Sequence, residues 1–362
     1  MTLTAYAAIA TVWGPFPLAG SKLVANMAGI LMAIVVLEKA ARLGLLTSHA
    51  LQVLIWGSMA LAVVQTYYFG GATYGFDGSD QVSRLSSFIA AQQFAAFLVA
   101  FLTLALWHSE FGVGIRVLTA VSVLTALLLN GSRVWFLGAL FITLFYMLVL
   151  MRQRVILVGL FAGALVTSIL LFMSFNSNTE VIVDNSSNRI VATLSAIATG
   201  SDTSNRVGLR DLTFRTAIYT GIINDISSSG LKEFALGHGT SSGANGVMRV
   251  FPNSYDAERL DPNRLIHNEW LRAAYEWGVV GLLLLAGVFS TMIGGLVSIC
   301  RAQRRNHRAL AALSFVPAFL LAFSSENVLA SAGNAMTLSL AIMLALLWTP
   351  SQQTIDLPVR QS

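Results

Sequence analysis

The chain has 362 residues, of which 22 are Lys or Arg and 17 are Asp or Glu, so that charged side chains make up 11% of it. An ordinary soluble domain carries about 25%, and this scarcity excludes a soluble globular enzyme. Hydrophobic residues amount to 56% and the mean hydropathy is +0.71. The composition therefore predicts an all-α integral membrane protein. The single cysteine, Cys300, excludes an intrachain disulfide and a cysteine-based metal cluster.

Apolar windows near the length of about 20 residues that crosses a bilayer follow one another along the chain and predict about ten transmembrane helices. They cover residues 3–18, 23–37, 50–69, 85–107, 111–130, 134–151, 155–175, 277–299, 309–325 and 333–349. Lys and Arg in short loops resist translocation and so indicate orientation. They fall in alternate connections, at Lys39 with Arg42, at Arg116, at Arg152 with Arg154, and at 301–308. Both termini are therefore predicted to be cytoplasmic.

The predicted helices divide the chain into four parts. Residues 1–175 are expected to form transmembrane helices 1–7, residues 176–276 an external loop with short helices, residues 277–349 helices 8–10, and residues 350–362 a cytoplasmic tail. The external loop is far longer than a connection requires, and such loops are commonly functional or disordered. Its many aromatic residues favour a folded segment.

One segment of the external loop, Arg206 to Asp225, has helical spacing that places Arg210, Phe214 and Gly221 on one face. Two interpretations remain open. An interfacial amphipathic helix would touch lipid headgroups with its arginines. A phosphate clamp would use the rigid fork of charged donors that a guanidinium presents.

Farther along, the run Gly237-His238-Gly239 is a turn whose N–H groups could bind an anion, although a simple bend is the favoured interpretation. His267 then marks the point where external loop becomes membrane helix. A lone histidine is usually structural, and its functional use would be as a general base. Glu269, Arg272 and Glu276 follow at spacings of three and four, which predicts intrahelical ion pairs.

Two arginines stand in nearly apolar surroundings, Arg133 before the sixth window and Arg84 before the fourth. Snorkelling explains Arg84, but an ionisable residue at the position of Arg133 usually faces a polar cavity or a ligand. The orientation derived from the loops places both at the external membrane face, together with Arg210 and His267. Asp77 and Asp80 are the acidic pair that could suggest a metal site, but an Asp-Gly turn is the favoured interpretation. No metal and no cofactor is therefore expected.

These residues resemble the O-antigen ligase and polymerase superfamily, multi-span enzymes of bacterial surface-glycan assembly. His267-Asn268, nine residues, Gly278, two residues and Gly281 are similar to its His-Asn/Ser-x9-Gly-x-x-Gly signature. Arg210, ten residues and Gly221 are similar to its Arg-x10-Gly element, Gly237-His238-Gly239 to its Gly-x-Gly turn, and Ser132-Arg133 to its Ser-Arg pair. The resemblance spans residues 80–345. After Arg84 the chain departs from the family pattern.

The resemblance implies a GT-C-like glycosyltransferase of the bacterial inner membrane, with undecaprenyl-diphosphate-linked glycan as donor. Arg133 and Arg210, assisted by Arg84, would hold the diphosphate, and His267 would be the general base. Transfer would invert the anomeric centre and need no metal. Asn268, Gly278, Gly281 and Gly221 would support the site. The partners would be the donor, lipid A core or another glycan as acceptor, and the bilayer, without nucleic acid.

Three acceptors remain open within this class: lipid A core for a ligase, a lipid-linked glycan for a polymerase, and a protein hydroxyl for a protein glycosylase. A different class, a transporter or flippase of lipid-linked saccharides, would line its pathway with intramembrane ionisable residues. Such residues are nearly missing from the middle of the predicted spans, since Glu38, Arg116 and Glu326 all fall near helix ends. The enzyme interpretation is therefore preferred.

Overall fold

The computed structural model describes residues 1–42, 48–69, 72–74, 82–84, 91–107, 111–151, 207–250, 266–302 and 307–329. Within these ranges the chain is almost wholly helical, which confirms the predicted helical class. A pair of antiparallel strands adds to it: β1 (Ala72–Tyr74) pairs with β2 (Val82–Arg84), with Thr73 opposite Ser83. The sequence interpretation did not include this short sheet.

The described helices are numbered here in chain order. They are α1 (Thr2–Ala10), α2 (Pro17–Arg42), α3 (Ser48–Phe69), α4 (Ala91–Trp107), α5 (Val113–Asn130), α6 (Arg133–Met151), α7 (Val207–Ser228), α8 (Leu231–Leu236), α9 (Gly243–Val250), α10 (Glu269–Ala302) and α11 (His307–Ser325).

The first predicted span, 3–18, is wrong as a single helix. The nine residues of α1 are followed by a 3-10 turn at Thr11–Trp13, and the chain is extended at Gly14 before Pro17 begins α2. Nine residues reach about 14 Å at a rise of 1.5 Å per residue, about half the thickness of a bilayer core. Pro15 explains the break, because a proline disfavours the helical conformation of the residue before it, and Gly14 is extended.

The later windows agree better with the structure. Windows 50–69, 111–130, 134–151 and 309–325 match α3, α5, α6 and α11 closely, while 155–175, 333–349 and the tail 350–362 lie outside the described residues. Among the described helices, Val113–Asn130 and Glu269–Ser298 are long and apolar enough to cross a membrane. This supports a membrane protein, and the count of ten spans stays a prediction.

One hydrophobic core joins α4, α5, α6, α10 and α11 with the N-terminal helices. Its largest fully buried side chains include Trp135, Trp277 and Phe323. The contact between α6 and α11 is close, since a Cβ added at Gly138 would lie 2.7 Å from Cβ of Ala318. A smaller second core holds α7 and α9 against the start of α10. Its buried members are Ile218, Ile222, Val247, Ile266 and Tyr275.

Candidate functional site

His267 has a left-handed backbone, with φ at 56°, a conformation that costs energy in a residue with a side chain. Two side chains from other elements hold it there. The peptide N–H of His267 donates to Oδ1 of Asn327 at 3.0 Å, and the hydroxyl of Tyr219 on α7 donates to the His267 carbonyl at 2.7 Å. The backbone of His267 is therefore held at both its N–H and its carbonyl.

The imidazole ring of His267 is held by the same asparagine. Nδ2 of Asn327 lies 2.9 Å from Nδ1 of the ring. Next to it, Asn268 begins the long helix: its Oδ1 accepts the peptide N–H of Leu271 at 3.0 Å, which is the hydrogen bond of an N-cap. We name Tyr219, His267, Asn268 and Asn327 the histidine junction, because they join α7, α10 and the end of α11.

The first two turns of α10 carry the predicted ion pairs, which the structure confirms. Arg272 lies 3.2 Å from Oε2 of Glu269 and 3.8 Å from Oε2 of Glu276, and each of the three residues is 2% exposed. The guanidinium carbon of Arg272 also lies 6.0 Å from the centre of the Trp277 ring. One cation thus stands between two carboxylates in the interior of the protein.

Both carboxylates also reach other segments. Oε1 of Glu269 accepts the peptide N–H of Leu329 at 2.7 Å, and Oε1 of Glu276 accepts that of Gly243 at 3.3 Å. The buried charges therefore connect the start of α10 to the chain that follows α11 and to the start of α9. This role is structural, since it fixes the segment that carries Asn327.

The helix α10 is kinked at Gly278, whose φ of 62° and ψ of −163° interrupt it. At the kink, the carbonyls of Tyr275 and Glu276 accept the peptide N–H groups of His238 and Gly239, at 3.0 and 2.9 Å. The N–H groups of the glycine turn are therefore bonded to protein, which favours the bend over the anion-binding interpretation. The ring of His238 stacks on Tyr275 with centroids 4.4 Å apart.

The glycines of the predicted signature stand where no side chain fits. An added Cβ would lie 2.3 Å from the Glu276 carbonyl oxygen at Gly237, and 2.4 Å from the Ala235 carbonyl oxygen at Gly278. We name Gly237, Gly239 and Gly278 the glycine contact. The supporting residues Gly281 and Gly221 are equally confined. A Cβ there would lie 2.0 Å from Cβ of Trp277 and 2.5 Å from Cγ2 of Val250, respectively.

The short helix α1 packs against this contact. The hydroxyl of Thr240 donates to the Ala7 carbonyl at 2.6 Å and accepts from Nε1 of Trp277 at 3.1 Å. The Tyr6 hydroxyl lies 3.3 Å from the carbonyls of Leu236 and Trp277. The N-terminal helix therefore supports the kink in α10.

Arg133 is the first residue of α6 and is half-buried. Two residues before it, Gly131 ends α5 with a left-handed backbone, at a φ of 72°. The N-terminal end of a helix carries a partial positive charge, and a guanidinium at this end adds to it. This local charge favours an anion. The helix packs against α11, whose last residue precedes Glu326 and Asn327.

The grouping of the predicted arginines with His267 stays a prediction. Arg210 belongs to α7 and Arg84 to β2, and the side chains of both lie outside the described part of the structure.

Another arginine of α7, Arg215, lies at the histidine junction and was missed by the sequence interpretation. Its NH1 donates to the Ser325 carbonyl at the end of α11, and its NH2 lies 3.8 Å from Oε1 of Glu326. Arg215 and Tyr219 are four residues apart and share a face. The available signal was the polar run Ser324-Ser325-Glu326-Asn327, which ends an apolar window at the same predicted external face.

Comparison with known families agrees with the resemblance found in the motifs. The family model described as O-antigen ligase matches residues 118–286, a range that begins within α5 and ends in α10 beyond the kink. It contains Arg133, Arg210 and His267 and excludes Arg84 and Asn327. No curated protein matches the chain. Residues 118–286 therefore match an O-antigen ligase domain, which supports the O-antigen ligase and polymerase superfamily.

Proposed function

We propose that the protein is a membrane glycosyltransferase of the O-antigen ligase or polymerase type. It transfers a glycan from undecaprenyl diphosphate to an acceptor hydroxyl at the external face of the bacterial cytoplasmic membrane. The observation that carries this proposal is the backbone of His267, which has a φ of 56° and bonds from two other elements. Backbone strain of this kind is maintained where the surroundings determine it fully, and it concentrates at functional sites.

In this proposal Arg133, Arg210 and Arg84 bind the diphosphate. Their charges stabilise the leaving group as the glycosidic bond breaks, without a metal. The position of Arg133 at the N-terminal end of α6 supports its part, because the helix and the guanidinium attract the same anion. Direct displacement by the acceptor hydroxyl inverts the anomeric centre.

His267 is the proposed catalytic residue, and its role as general base stays a prediction from the family resemblance. Asn268 supports it by capping α10, while Gly278, Gly281 and Gly221 allow the close packing that positions the start of that helix. The proposed topology has about ten spans of GT-C type with both termini in the cytoplasm. Residues 176–276 form the external segment.

The test uses the purified full chain in lipid nanodiscs with undecaprenyl-diphosphate glycan as donor. His267→Ala, Arg133→Ala and Arg210→Ala are each expected to abolish transfer while the protein remains inserted and present at normal level. Arg249→Ala is the matched control, because Arg249 is 65% exposed and pairs with Asp225, so it should retain transfer. Full transfer by His267→Ala would remove His267 from the chemistry.

Product size then separates the acceptors. A ladder formed from donor alone indicates a polymerase, and a single capped product that requires lipid A core indicates a ligase. If the unsubstituted protein transfers no glycan but moves labelled lipid-linked glycan across a vesicle membrane, and the three variants fail to move it, the protein is a transporter and the proposal is wrong.

A further inference from the structure

The two contacts between Asn327 and His267 leave a single arrangement of protons. The peptide N–H of His267 lies 3.0 Å from one terminal atom of the Asn327 side chain, and ring Nδ1 lies 2.9 Å from the other. A peptide N–H can only donate, so the atom facing it must be the carboxamide oxygen. The amide nitrogen then faces the ring, and since it too only donates, Nδ1 must accept.

An accepting Nδ1 carries no proton, so the neutral ring holds its proton on Nε2. A proton on Nδ1 would set two donors against each other across the same 2.9 Å. We propose that Asn327 is a positioning residue that fixes His267 as the Nε2–H tautomer, so that the ring meets the substrate as a hydrogen-bond donor and not as a proton acceptor.

Among the described residues, the charged groups next to the junction have partners of their own. Glu326 pairs with Arg215 at 3.8 Å. Glu269 accepts the Leu329 N–H at 2.7 Å and pairs with Arg272 at 3.2 Å. The partner of Nδ1 is therefore an amide, whereas a histidine that acts as general base through Nε2 is typically oriented by an acceptor at Nδ1–H.

The consequence for the reaction rests on the proposed function. An Nε2–H donor suits an oxygen that gains negative charge in the transition state, such as a phosphate oxygen of the leaving group. A base acting through Nε2 would need the opposite tautomer, and forming it would break the contact with Asn327. The bond from the anomeric carbon to the diphosphate oxygen breaks as the bond to the acceptor oxygen forms, and the proton of the acceptor hydroxyl then goes to a phosphate oxygen of the departing diphosphate instead of to His267. The asparagine thus decides between two roles for the same ring.

The tautomer is measured directly with the full chain in nanodiscs, labelled with 15N histidine. The chain has five histidines, and the signals missing from His267→Gln identify those of His267. We expect an unprotonated Nδ1 and a protonated Nε2. The reverse pattern in the unsubstituted protein would overturn the proposal. This measurement needs no substrate, so its outcome is independent of whether the proposed transfer occurs.

The second test is Asn327→Asp, which keeps an oxygen for the His267 peptide N–H and offers another to Nδ1–H. We expect the labelled ring to change to the Nδ1–H tautomer and glycan transfer to fall by at least about tenfold. Asn327→Leu, of similar size without either contact, should give a mixture of tautomers and an intermediate loss. Unchanged or faster transfer by Asn327→Asp would show that His267 acts as a base, contrary to the proposal.

The pH dependence of transfer provides a third readout. A general base loses activity when the imidazole is protonated, near pH 6.5 for an ordinary histidine. An Nε2–H donor keeps its proton in both charge states of the ring. Protonation of Nδ1 would break the contact with Asn327, so for a donor we expect any acid-side loss to disappear in Asn327→Leu as well as in His267→Gln. A loss that persists in Asn327→Leu and disappears in His267→Gln would contradict the donor role. If Asn327→Asp fails to fold, the spectrum of the unsubstituted protein still decides the tautomer.

Discussion

The histidine junction and the glycine contact both bend the backbone into the left-handed region near the start of α10, but they are held by different means. At the junction, His267 keeps its φ of 56° through the side chains of Asn327 and Tyr219. At the glycine contact, Gly278 has a φ of 62°, and the freed carbonyls accept peptide N–H groups of the glycine turn.

The two regions therefore differ in what a substitution is expected to change. The glycine contact has no side chain to exchange, and any added atom meets backbone, so it sets a fixed geometry. The junction consists of replaceable polar atoms, so its hydrogen bonds can be altered while the fold remains. Substitutions at the contact should therefore change stability, and substitutions at the junction should change transfer.

The largest effect is expected from Gly278→Ala. Its Cβ would lie 2.4 to 2.6 Å from backbone atoms of Ala235 and Gly237, at a φ of 62° that side chains disfavour. We expect a loss of more than about 3 kcal/mol in unfolding free energy. The measurement is thermal unfolding in detergent, followed by tryptophan fluorescence. Gly287→Ala in the same helix is the control, because nothing lies within 4 Å of its Cβ. Equal stability of the two variants would contradict this account of the kink.

An intermediate effect is expected from Tyr219→Phe, which removes the hydrogen bond to the His267 carbonyl. The cost in stability should be about 1 kcal/mol, whereas transfer should fall more than stability explains, because the backbone of His267 loses one of the two side chains that hold it. Tyr6→Phe is the matched variant near the glycine contact, since the Tyr6 hydroxyl bonds the Leu236 and Trp277 carbonyls beside the kink. Tyr6→Phe should lower the unfolding temperature slightly and leave transfer by the folded protein unchanged. The same loss of transfer in both variants would remove the distinction.

The smallest effect is expected from His238→Phe. His238 stacks on Tyr275, and a phenyl ring keeps that stacking while losing only weak contacts at 3.2 and 3.4 Å. Glycan transfer should therefore remain close to that of the unsubstituted protein in the nanodisc assay. A loss as large as that of His267→Ala would make His238 the catalytic imidazole instead.

Local patterns in the sequence predicted much of the fold. Continuous apolar windows located α5, α6 and α11, and three- and four-residue spacing located the ion pairs of Arg272. The break before Pro17 was readable from its prolines but was included in a span. In each case the determining residues are neighbours in the chain.

The contacts that define the site join distant residues, and no local pattern encodes them. Asn327 lies 60 residues from His267, and Glu269 reaches Leu329 over the same separation. The motif around His267 predicted its importance, yet the tautomer depends on a partner outside that motif. For Arg210, helical spacing predicts the face of the helix but not the group that the guanidinium contacts.

The position of α1 also matters for how the protein is made. Its contact with Thr240 joins residues 233 positions apart, and synthesis at about 5–20 residues per second delays that partner by at least about ten seconds. During this interval α1, too short to span the bilayer, has neither Thr240 nor Trp277 to pack against. The packing around the kink in α10 is therefore completed only when α1, which was synthesised much earlier, binds there. An N-terminal fusion that holds α1 away should slow this last step of folding.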